Sequence, residues 1–386
     1  MRHTIGIVMI FATFTGLHAA EPALPAGLGG GTTDTTDETT DTAPSEAPAL
    51  PPGLGGGTND TPDAAAPASP IANSATGFEK PAWLYGFVDT RIGTRLKDDP
   101  NHDDLSLGEL RLQLNAEPRW QNVGLSLRLD ILHDDVQPDP AAVDLARGTG
   151  RIDLRAANLQ TSPLDTLDLK IGRQILTWGT GDLLFINDNF PKDWRSFFAG
   201  RDVEYLKAPS DALRAALFLP AFNLDVVYTP QFDPDRFIDG TRNSFYAAGF
   251  GSVGGEDATR DFTPNEWFED DEIAVRLYRN LQAYELALYA YSGFWKSPGG
   301  QDASGRATFP ALNVFGGSVR GPFANGIGSA EIGYLDSRDD RDGTDPSIKN
   351  SEFRLLLGYE RDLADLSSDL SMGVQYYLEH MLDHDA

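Results

Sequence analysis

Between Glu109 and Glu117 the odd positions are Glu109, Arg111, Gln113, Asn115 and Glu117, while the even ones are Leu110, Leu112, Leu114 and Ala116. Successive side chains of an extended chain point to opposite sides, so a period of two marks a strand with one apolar and one polar face. The next run repeats the alternation, with Val123, Leu125, Leu127, Leu129 and Ile131 on one side and Asn122, Ser126, Arg128 and Asp130 on the other. Further segments run from Arg151 to Gln160, Leu167 to Arg173, Leu213 to Leu219, Phe222 to Thr229, Glu272 to Arg279 and Ala283 to Tyr291. Leu312 to Arg320, Ile327 to Leu335, Glu352 to Glu360 and Leu370 to Leu378 complete the series. With Trp83 to Ile92 as the first, the chain carries about thirteen strands, several near the roughly 9 to 11 residues that cross a bilayer at a tilt.

A soluble sandwich also alternates, and the connections separate the two cases. Short links (Pro118 to Gln121, Pro220-Ala221, Asn280 to Gln282, Pro322 to Gly326) interleave with long ones. The long ones are Gly93 to Asp104, His133 to Gly150, Trp178 to Ala212, Pro230 to Asp271, Ser292 to Ala311 and Asp336 to Asn350. Turns at one end and loops at the other are the plan of a transmembrane barrel. A bilayer admits strands only when every backbone group is paired in a closed ring, so the fold class expected is all-β, an antiparallel transmembrane up-and-down β-barrel. The charged faces then line the lumen, because Arg or Lys on the lipid face near the midplane costs about 2 to 4 kcal/mol. Arg111, Arg128, Arg155 and Arg214 are the lumen-facing cations this places, against acids such as Glu109, Asp130, Asp153, Asp225 and Glu331.

The N-terminus fits export. Arg2, the apolar stretch Ile5 to Phe14 and the small pair Ala19-Ala20 form the three regions of a secretory signal, assigned here to residues 1–20. Residues 21–77 are rich in Pro, Gly, Ala, Thr and Asp, and are expected to be a disordered periplasmic linker. Within it ALPAGLGGGT, starting at Ala23, recurs as ALPPGLGGGT, starting at Ala49. The repeat reads as a duplicated tether, or as a motif that docks on a periplasmic or envelope partner. The barrel then occupies residues 78–386, its short-turn end in the periplasm and its loops outside. The end on Asp383-His384-Asp385-Ala386 lacks the usual terminal aromatic, and the strand count is odd. Both point to a truncated chain, with about 14 to 16 strands when complete.

The segment Lys170 to Leu213 resembles a signature of porin-like outer-membrane proteins, in which a Gly-Arg-Gln strand end precedes Trp-Gly, as in alginate-export-like relatives. The matching residues are Gly172, Arg173, Gln174, Trp178 and Gly179. The resemblance implies fold, location and a transport-like role, and supplies no substrate.

Other functions find little purchase. Without cysteine there are no disulfides, thiolate metal sites or attached haem. A net charge of −27 with no basic stripe opposes nucleic acid. His102, Asp103, Asp104, His133, Asp134 and Asp135 match no metal-ligand spacing, and no serine sits in Gly-x-Ser-x-Gly, so neither metal, cofactor nor enzyme is expected. The expected function is a channel in the outer membrane for small hydrophilic or anionic solutes. The alternative is a structural barrel that docks envelope proteins. In the first reading the third long loop, Trp178 to about Ala212, folds into the lumen, because Leu183, Leu184, Phe185, Ile186, Phe190, Trp194, Phe197 and Phe198 need a wall to pack on. Its charged residues Asp182, Lys192, Asp193, Arg195 and Arg201 then form the constriction.

Overall fold

The computed structural model describes the backbone of residues 4–14, and residues 81–136, 143–181, 183–247, 251–364, 366 and 370–383. The linker 21–77 and Asp182 lie outside the described residues. In chain order the long strands are β1 Thr4–Phe14, β2 Leu84–Thr94, β3 Leu105–Ala116, β4 Val123–Asp134, β5 Ile152–Leu164 and β6 Leu167–Ile175. They continue as β7 Pro209–Phe218, β8 Asn223–Thr229, β9 Glu272–Leu281 and β10 Tyr284–Phe294. The last four are β11 Ala311–Phe323, β12 Gly326–Ser337, β13 Glu352–Asp362 and β14 Leu370–Met381. With the short pair Arg119–Trp120 they form one fifteen-stranded sheet, in which β2 to β14 each pair antiparallel with their sequence neighbours. This is an up-and-down barrel meander.

Every strand expected from alternation is present, several with longer ends. β3 begins at Leu105 and β7 at Pro209, because the ladder with β2 or β6 carries the backbone beyond the point where the alternation fades. Between β11 and β12 the turn is the pair Ala324-Asn325, both at positive φ (47° and 62°), the geometry that matches strand twist in a two-residue hairpin.

Thr4–Phe14, within the segment read as an export signal, runs antiparallel to β14 from Thr4↔His380 to Phe14↔Leu370. An unpaired strand edge is a template for any extended apolar segment, and β14 would present one. Among the described residues no ladder joins β1 to β2, the two ends of the sheet.

The two faces invert the pattern of a water-soluble protein. Leu159, Ile171, Leu288, Phe315 and Ile332 are 47 to 61% exposed on the outside. Glu109, Arg111, Arg155, Asp225 and Glu331, on the other face, are at most 2% exposed. An apolar outer surface wrapped around buried charge requires a lipid environment, since such a surface in water would be an unpaired apolar patch.

Candidate functional site

The inner face of β3 to β5 is a ladder of charge. Arg111 pairs with Glu109 at 2.6 Å and lies 3.8 Å from Asp130, whose carboxylate also accepts from Gln113 Nε2 at 2.9 Å. Arg155 and Asp153 of β5 continue the row at 3.8 Å. Buried charge is tolerable only when paired, and here each acid has a cation beside it.

The connection between β6 and β7 turns onto these walls, and its entry explains the Gly-Arg-Gln and Trp-Gly residues. Gly172 holds φ at +112°, and a Cβ there would lie 2.4 Å from the Ala157 carbonyl oxygen. Arg173 fastens the strand end through Leu154 O at 2.6 Å and Asp211 at 2.8 Å. Gln174, fully buried, donates to Ala212 O at 2.9 Å. At Gly179, φ is +89° and the chain passes so close to Glu331 that a Cβ would lie 3.1 Å from its Oε1. Trp178 then packs edge-on against Phe190 and stands 6.3 Å from Tyr289.

Glu331 of β12 receives the first limb of the loop. It accepts from Thr180 N at 2.8 Å, Thr180 Oγ1 at 2.9 Å, Asn187 N at 2.8 Å and Asn187 Nδ2 at 3.0 Å. Ile186, with Leu184, packs on Leu356 of β13 and Tyr377 of β14. Phe190 joins an apolar cluster with Leu176, Val227, Tyr291, Leu312 and Val314, all inward residues of the wall or its rim.

The second limb crosses to the opposite part of the wall. Here lie the short helix α1, Trp194–Phe198, and a single 3-10 turn, Val203–Leu206. Arg201 bonds Glu109 of β3, and Glu204 bonds Arg128 of β4. Tyr205 accepts from Gln113 Nε2 at 2.5 Å, and the guanidinium groups of Arg111 and Arg155 stand over its ring at 4.1 and 4.5 Å from the centroid. One connection thus touches inward residues of β3, β4 and β5 and also of β12, β13 and β14. These strands stand on either side of β6 and β7 in the sheet, so the loop lies across the interior.

A third element clamps it. Arg236, from the loop between β8 and β9, forks onto Asp153 at 2.8 and 2.9 Å and onto Asp193 at 3.0 Å. Asp193 also caps α1 by accepting from Ser196 N at 2.8 Å. Burial alone would push the Asp193 carboxyl up, but Arg236 and then Arg195 hold it below the usual carboxylate range.

The residues expected at the constriction do not share one environment. Lys192 is buried, its ammonium 3.0 Å from Asp188 and 2.6 Å from the Phe190 carbonyl. Asp193 is buried in the clamp. Arg195, which donates to the Arg147 carbonyl, and Arg201 are partly exposed. Phe198 and Val203 are 63 and 65% exposed, so the loop's apolar residues do not all pack on the wall. Arg111, Arg128, Arg155 and Arg214 all lie on the inner face. Sequence reasoning missed Tyr205 and Arg236. Neither carries a local signal, since their partners lie 92 and 83 residues away.

No protein-family model matches the chain, and no curated protein matches it. Among solved structures, a mutant porin of Rh. blastica is 11% identical, covering 77% of this chain and 99% of that one, at a TM-score of 0.29. Salmonella typhi OmpF in complex with daunomycin is 12% identical, covering 77% and 97%, at 0.30. An anion-selective porin from Comamonas acidovorans is 11% identical, covering 77% and 98%, at 0.26. Likenesses this loose do not bear on what this chain does. Its ladders and its two faces make it an up-and-down transmembrane β-barrel with a loop laid across the interior.

Proposed function

We propose that the chain is a porin-like outer-membrane channel for small hydrophilic or anionic solutes, with the loop between β6 and β7 as its constriction. The observation that carries this reading is a charged interior crossed by one loop, inside a wall whose outside is apolar. A polar lumen holds water and solutes that a bilayer excludes, and the loop narrows it. Asp182, Lys192, Asp193, Arg195 and Arg201 are the constriction charges in this reading. Export through the signal at residues 1–20, with the linker 21–77 in the periplasm, belongs to the same proposal.

The test is purified protein in a planar bilayer, beside a variant with Lys192, Arg195 and Arg201 all replaced by Gln. Discrete conductance steps are expected, with altered step size and reversal potential in the variant. A folded barrel that gives no steps would overturn the channel. A folded variant indistinguishable from wild type would remove these three residues from the constriction.

One observation favours the second reading, a structural barrel that docks envelope proteins. Lys192 with Asp188, and Asp193 with Arg236, are buried ion pairs, as in a plug rather than an open passage. The repeated linker motif would then be the docking segment.

A further inference from the structure

We propose that Lys170 of β6 and Arg214 of β7 form an anion-binding station on the lumen wall near its short-turn end, taking chloride, carboxylates or phosphate. The inference rests on the channel reading and adds the site that would give it a preference for anions. The two residues are direct register partners, Lys170↔Arg214. They face inward, because their neighbours Ile171 and Leu213, themselves register partners, are 55 and 41% exposed on the outside. Like charges directly opposite each other on one face repel, so the pairing works against the sheet unless something anionic sits between them.

The wall gives Lys170 no ion pair of its own among the described residues. Arg214 uses Nη2 on Asp225 at 2.8 Å, and its buried Nε has no acceptor among the described residues. Asp225 in turn stands opposite Arg276, which pairs with Glu285 at 2.6 Å. On its other side Lys170 faces Gln160, a neutral amide. Among the described residues no carboxylate lies within ion-pair distance of the Lys170 ammonium. Arg128, the next cation along, is already held by Glu204. Glu117 acts on Lys170 from beyond ion-pair distance and Asp168, on the same face of β6, accepts from Ser162, so the register pair is an ammonium with no ion-pair partner beside a guanidinium whose Nε–H is unused. An oxyanion between them would relieve the repulsion and accept from both. A mobile chloride would be concentrated there by the same field.

The experiment measures reversal potential across a KCl gradient for wild type, Lys170→Gln, Lys170→Glu and Lys170→Arg, with single-channel conductance as a separate readout. A unit charge about 5 Å from a permeating ion in a water-like medium changes its occupancy about fourfold. Chloride loses and potassium gains that factor, so Lys170→Gln should lower the chloride-to-potassium permeability ratio about sixteenfold, Lys170→Glu should lower it further, and Lys170→Arg should retain it. Arg214→Gln, with Lys170 intact, should shift the ratio in the same direction. If wild type conducts and the Gln and Glu variants keep its reversal potential, the station is wrong and the channel stands. If folded wild type does not conduct, the channel reading falls and the station with it.

Discussion

Replacing Arg236 with alanine should release the interior loop. The guanidinium is 1% exposed and makes three charge-assisted bonds to Asp153 and Asp193, which are 5 and 4% exposed. Removing it leaves two buried carboxylates without their main counter-charge, and breaking a buried pair in this way costs about 3 to 5 kcal/mol. The cost falls on the contacts Arg236 joins, namely the loop after β8, the cap of α1 and the inner face of β5. At about 1.4 kcal/mol per tenfold, amide hydrogen exchange around residues 193 to 206 should speed up by about a hundredfold to a few thousandfold. The assay is exchange mass spectrometry on refolded protein in detergent. Adding Asp153→Asn and Asp193→Asn to the alanine variant should restore much of the protection, since neutral amides carry no stranded charge. Unchanged exchange in Arg236→Ala would refute the clamp. An equal loss with and without the two Asn substitutions would show that lost packing, rather than stranded charge, is the cause.

Two further outcomes follow from the same structure. Gly172→Ala should destabilise the barrel by about 1 to 3 kcal/mol, because φ is +112° and the new Cβ would press on the Ala157 carbonyl at 2.4 Å. Gly317→Ala, whose nearest contacts are 3.4 Å, is the control, and equal heat-modifiable migration of both variants would contradict this. Asp233, in the loop after β8, has its carboxyl raised to about 6, chiefly by burial and further by Glu272 and Asp211, against Lys296. The folded protein then binds more protons than the unfolded chain between about pH 4 and 6, so this group's contribution to stability falls as pH rises through that window. Asp233→Asn should flatten that part of the stability profile; an unaltered slope would count against the shift.

The faces of the wall were readable residue by residue. Glu109 and Leu110 are adjacent in sequence and on opposite sides of β3, because the period of an extended chain is a local property that needs no partner. The alternation of short and long links likewise showed which end of the barrel bears the loops. The interior loop was legible only in part: Phe190 and Ile186 announced that something must cover them, without showing what. Strand ends such as Leu105 and Pro209 escaped notice because they are set by the neighbouring ladder.

By itself, then, the sequence determined the strands, their faces and the apolar excess of the connection after β6, all of which depend on spacing along the chain. Only the tertiary structure decided that Tyr205 meets the guanidinium groups of Arg111 and Arg155, that Arg236 ties Asp153 to Asp193, and that Lys170 stands opposite Arg214. Charge pairing depends on which side chains the folded wall brings within a few ångströms, and a chain carrying 58 acids and 31 bases allows far more pairs than its spacing can choose between.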